Sequence, residues 1–169
     1  MPSFVPGLWT APVIAIFGSV LAIVGSVIHE MTSLPILAAF LVAPMVEESM
    51  KPVGLYILLA YRPESLTSRF YTARLAAIAG AGFGIIESTV YVMVYVEDPS
   101  PDYIAVRYTV PVLLHTVASF IFGFGIHQRL KASVWGQVPF LSGSWQYFVG
   151  AMALHSLCNI TATIRGIAG

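Results

Sequence analysis

Apolar residues run in five long stretches, roughly Thr10–Ile28, Leu34–Tyr61, Ala73–Val96, Ile104–His127 and Ser144–Ile164, separated by polar turns. A helix needs about 20 predominantly apolar residues to cross a bilayer, and each stretch is about that long or longer. The pattern predicts an all-α, polytopic membrane helix bundle of about five transmembrane helices, in a single integral-membrane domain over residues 1–169. The second stretch is interrupted by Pro44, by Glu47-Glu48-Ser49-Met50-Lys51 and by Pro52. Each proline removes a backbone donor, so a bent or broken helix is expected there. In membranes such breaks sit where backbone is buried in protein or lines a wet cavity.

The loops set an orientation. Arg62, Arg69 and Arg74 cluster between the second and third stretches, and Arg129 and Lys131 between the fourth and fifth. The loop between the third and fourth holds Glu97, Asp98 and Asp102 against Arg107 alone. Basic loops stay on the cytoplasmic side, which predicts the N-terminus in and the C-terminus out. No Lys or Arg precedes the first apolar run and no small-x-small site ends it, so it reads as a retained span rather than a signal peptide. Gly80 and Gly84, and Gly123 and Gly125, mark close helix contacts. Trp9, Trp135 and Trp145 read as interfacial anchors, and His29 and His127 fall at membrane boundaries.

Composition agrees with the bilayer: 57% of residues are hydrophobic, 9% are charged, and mean hydropathy is +0.83. The net charge of zero offers no basic surface for nucleic acid. The run Gly80-Ala81-Gly82-Phe83-Gly84 lies inside an apolar helix and lacks the strand–turn–helix setting of a phosphate loop, so no nucleotide is expected. Cys158 is alone, and no intrachain disulfide is possible.

Against this background the ionisable residues inside the spans stand out: Glu47, Glu48 and Lys51 in the second, Glu87 in the third, His115 in the fourth and His155 in the fifth. A charge at the bilayer centre costs roughly 2.5–3.5 kcal/mol on insertion scales, so these groups should face inward. At about 1.5 Å per residue, Glu47, Glu87, His115 and His155 each lie roughly 14–20 Å from the outer ends of their spans. A shared depth on antiparallel helices points to one constellation. Glu47 and Lys51 are four residues apart and share a face, as do His155 and Asn159. Lys51 can offset one carboxylate, and Asn159 can present an amide donor beside His155. The alternative for each is structural: a self-neutralising Glu–Lys cluster, a carboxyl bonded to backbone, or packed histidines.

The residues resemble known motifs. Pro44-Met45-Val46-Glu47-Glu48-Ser49-Met50-Lys51 resembles the EExxK motif of the PrsW family of intramembrane proteases. Phe83-Gly84-Ile85-Ile86-Glu87 resembles its FxxxE motif, His115 begins a stretch similar to its third motif, and His155-Ser156-Leu157-Cys158-Asn159 resembles its HxxxN motif. The wider group of CAAX prenyl proteases and bacteriocin-processing proteins carries EExxxR and a histidine in place of the FxxxE glutamate, so Lys51 and Glu87 favour the PrsW side. The resemblance covers roughly residues 40 to 160. It implies an intramembrane endopeptidase of a prokaryotic cytoplasmic membrane, with membrane lipid around it and a membrane-anchored protein or peptide as substrate.

Peptide hydrolysis needs an activated water and a stabilised oxyanion. The expected roles are Glu47 as base with Glu48 supporting or exchanging with it, His155 and Asn159 at the oxyanion, and Lys51 as support. Glu87, His115 and His155 are the expected metal ligands should Zn2+ be present. A metal-free glutamate mechanism is equally compatible with these residues. The alternative class is a metal-ion or proton transporter, because intramembrane carboxylates and histidines also mark ion pathways; the lack of an evident inverted repeat counts against it.

Overall fold

The computed structural model describes residues 10–30 and 38–164, and every regular element in them is helical. Trp9 and the start of the second stretch lie outside the described residues. Helix α1 runs over Thr10–Glu30. A π-turn at Ala38–Val42 leads into α2, Ala43–Met50, and α3 follows at Val53–Tyr61. Helix α4, Arg69–Val90, continues into a second π-turn at Tyr91–Tyr95. Helix α5 is Pro101–Gly123, α6 is the short Gln128–Val134, and α7 is Trp145–Ile164.

Among the described residues, three helices are long and apolar enough to cross a membrane: Arg69–Tyr95, Pro101–Gly123 and Trp145–Ile164. In α1 the stretch Thr10–Val24 is also apolar. The second stretch is broken where its prolines predict. Pro44 sits in the first turn of α2, just after the π-turn, and Lys51 caps the end of α2 with its N–H on Glu47 O at 2.9 Å. Pro52 then has φ −86° and ψ 19°, outside the helical region, before α3 restarts the chain. Neither α2 nor α3 alone has the length of a span.

The boundaries differ from the hydropathy reading for a local reason. Helices α4 and α5 start earlier than Ala73 and Ile104 because Ser68 and Ser100 cap them, their hydroxyls accepting from Tyr71 N and Tyr103 N. Serine is favoured at this position because it satisfies an orphan N–H, and its polarity hides the helix start from an apolarity count. Helix α6 was not anticipated. Its cap is His127, whose Nδ1 accepts from Arg129 N at 3.1 Å.

Helices α4 and α5 pack at unusually close range. A Cβ on Gly80 would collide with the His115 carbonyl and Ser119, and one on Gly84 would stand 2.8 Å from Val112 Cα. Gly18 of α1 and Gly54 of α3 meet in the same way, a pairing not evident from the sequence. Ala15, Leu55, Leu58, Leu75, Ala79 and Ile126 form the larger apolar core, and Ala118, Phe122 and Ala151 a smaller one.

Candidate active site

Breaking the second stretch at Pro52 leaves Glu47, Glu48 and Lys51 on the last turn of α2, where a cation also meets the negative end of the helix dipole. The five central groups are buried in the protein: Glu48 and Lys51 are 0% exposed, Glu47 3%, His115 1% and His155 2%. Lys51 Nζ donates to Glu48 Oε1 at 2.6 Å and to His115 Nδ1 at 2.7 Å, and lies 3.5 Å from Glu47 Oε2. It also stands 4.6 Å over the Phe83 ring. The expected pairing with Glu47 is therefore the longer of two, and Glu48 is its tighter carboxylate.

The partners define the imidazole tautomers. An ammonium can only donate, so His115 Nδ1 accepts and its Nε2–H donates to Glu87 Oε2 at 2.9 Å. His155 Nδ1–H donates to Glu48 Oε1 at 2.8 Å, which turns the Nε2 lone pair toward Glu47 Oε2, 3.8 Å away. His115 Nδ1 is 4.0 Å from the same oxygen. The two rings stand edge to face at 5.0 Å.

Glu47 Oε2, His115 Nδ1 and His155 Nε2 thus converge on one buried hollow. One ligand atom from each of Glu47, His115 and His155 lies within 4.8 Å of the others, the arrangement of a metal-binding group. Tetrahedral zinc, with bonds of about 2.0–2.1 Å, holds its ligands about 3.3–3.4 Å apart; the two glutamate–histidine separations need to close by about 0.5 Å. Each histidine's other nitrogen is already held by a carboxylate, Glu87 behind His115 and Glu48 behind His155. That is the outer layer which fixes the tautomer of ligating histidines. The residues fit a divalent ion.

A comparison with known protein families matches residues 1–169 to the PrsW family of intramembrane metalloproteases. The chain belongs to that family. It is a membrane-embedded hydrolase of peptide bonds. No curated protein and no solved structure matches it.

Within this PrsW-family site the geometry joins three of the four residues singled out by depth: Glu87–His115–Lys51–Glu48–His155 is one chain of hydrogen bonds, and the fourth, Glu47, lies beside it with Oε2 3.5 Å from Lys51 Nζ. Asn159 lies one turn beyond His155 on α7 and is half-buried. Glu87 is not in the three-atom group; Glu47 takes that place, and Glu87 stands behind His115. The sequence reading missed Ser88, which is fully buried beside Glu87. Pro111 inside α5 has no N–H to give the Arg107 carbonyl four residues earlier, and Ser88 Oγ donates to that carbonyl at 2.6 Å. The signal was a helix-interior proline one turn before His115.

Proposed function

We propose that the chain hydrolyses a peptide bond of a membrane-associated protein, with Glu47 taking the proton of the attacking water. One observation carries this reading: a glutamate oxygen and two imidazole lone pairs, all buried, face one another across gaps too long for direct hydrogen bonds and suited to a shared third atom. Glu48 and Glu87 keep the imidazoles oriented, and Lys51 balances the carboxylates. Asn159 supplies an amide donor for the oxyanion from the same helix face as His155.

Glu47, His115 and His155 would hold a divalent ion, and their mixed nitrogen and oxygen chemistry suits Zn2+. Such an ion would polarise the scissile carbonyl and acidify a bound water. A carboxylate held through one oxygen keeps the other as a proton acceptor, so Glu47 serves both ends. Around this centre we infer five crossings, with α2 and α3 together making the second. The basic loops would face the cytoplasm of a prokaryotic cell, with the N-terminus on that side.

The test uses proteoliposomes carrying purified protein and a mixture of single-span peptides, with fragments read by mass spectrometry and Zn2+ uptake read in parallel. Wild type is expected to cleave without transporting, and His155→Ala to do neither. Uptake without cleavage would overturn the protease reading in favour of a transporter.

A further inference from the structure

The ammonium of Lys51 and a divalent ion need the same atoms. Lys51 Nζ rests on His115 Nδ1 at 2.7 Å and faces Glu47 Oε2 at 3.5 Å, and these are two of the three ligand atoms of the hollow. A neutral imidazole has one in-plane lone pair on Nδ1, which either accepts an N–H or binds an ion. The proximity of a second positive charge adds repulsion in a buried site. Only one of the two cations can hold His115 at a time.

We propose that Lys51 is an internal cation that competes with the divalent ion for the hollow, so that loading requires its Nζ to swing off His115. The proposal rests on the reading that Glu47, His115 and His155 bind an ion. Glu48 makes the exchange feasible. Its Oε1 holds Lys51 at 2.6 Å, and its Oε2 is buried without a hydrogen-bond partner, which leaves a second acceptor on the same carboxylate. The flexible four-carbon stem of lysine can pivot on that carboxylate. Lys51 also has a separate structural effect. With His115 on α5 and Glu48 on α2, it ties the broken second stretch to the bundle core without help from an ion.

Two consequences have opposite signs. Lys51→Met removes the competitor, so zinc binding should tighten by roughly ten- to a hundred-fold, the equivalent of one charge-assisted hydrogen bond. The same variant, treated with chelator, loses the tie between α2 and α5 and should melt below chelator-treated wild type. Zinc should therefore raise the melting temperature of the variant more than that of wild type.

The experiment measures zinc affinity of the detergent-solubilised full chain by competition with a chromophoric chelator, in wild type and Lys51→Met. A second readout needs no variant. The chain has two lysines, Lys51 and Lys131. With 15N-labelled lysine side chains, zinc should shift the Lys51 ammonium resonance and leave that of Lys131, which donates to Ala60 O at 3.1 Å far along the chain, in place. Equal affinities with an unmoved Lys51 resonance would overturn the competition and leave the metal centre standing. Tighter binding with an unmoved resonance would reduce Lys51 to a through-space charge and also overturn it. Absence of zinc binding in both proteins would remove the metal reading itself, and the competition with it. Should Lys51→Met fail to fold, the wild-type resonance decides.

Discussion

Single side chains at two places carry more than their size suggests. Ser88 is the substitute donor for the Arg107 carbonyl that Pro111 leaves without one. Ser88→Ala should strand a buried acceptor and cost about 1–3 kcal/mol, read as a lower midpoint in thermal or denaturant unfolding; an unchanged midpoint would show that the carbonyl finds water or another partner. His127 caps α6 only while Nδ1 is unprotonated, because that nitrogen accepts from Arg129 N and Nε2 donates toward Gly143 O at 3.4 Å. Partial burial holds its pKa below the usual 6.5, and the charges of Arg69 and Arg129 act in the same direction against the pull of Gly143. A histidine depressed in the fold binds its proton more readily when unfolded. Its contribution to stability is thus full above about pH 6.5 and is lost as pH falls toward the folded value. Between pH 7 and 5 the wild type should lose more thermal stability than His127→Asn, which keeps a capping side chain without the titration. Parallel curves for the two proteins would contradict the cap.

Among the helices, the α4–α5 seam decides where His115 sits. A Cβ at Gly84 would meet Val112 Cα at 2.8 Å and His115 Cδ2 at 3.0 Å. Gly84→Ala should therefore push the helices apart, destabilise by about 1–3 kcal/mol as overpacking does, and move His115. Gly82→Ala, whose Cβ meets only side-chain atoms of α1 at 3.2 and 3.9 Å, is the control and should be much milder. Equal effects on melting temperature and zinc binding would argue against the seam. Much of this was legible in the chain: Gly80 and Gly84 fall four apart in one helix, and Pro44 and Pro52 bracket the break. Gly18 with Gly54, and Ser88 with Arg107, were not, because each is a meeting of two helices whose relative rotation no single periodicity encodes. The same limit applies to the candidate metal-binding group. Depth along the axis groups Glu47, Glu87, His115 and His155 in one layer. It cannot say which carboxylate turns toward which imidazole nitrogen, and the rotation of α2 brings Glu47 to the hollow where Glu87 was expected.

At the level of the whole molecule, a few helices enclose a polar layer that is buried except at Glu87, whose side chain is partly exposed. The prolines and π-turn of the second stretch deliver two glutamates and a lysine to that layer, α4 and α5 bring Glu87 and His115, and α7 brings His155. The central claim is that this layer cleaves peptide bonds with Glu47 as the proton acceptor. Its most direct test is Glu47→Gln, which keeps the shape of the side chain and removes its basicity, assayed in proteoliposomes with single-span peptides beside wild type. Cleavage should fall by about 10²–10⁴-fold, the usual contribution of a general base, with the melting temperature nearly unchanged. A folded Glu47→Gln protein that cleaves at the wild-type rate would contradict the account.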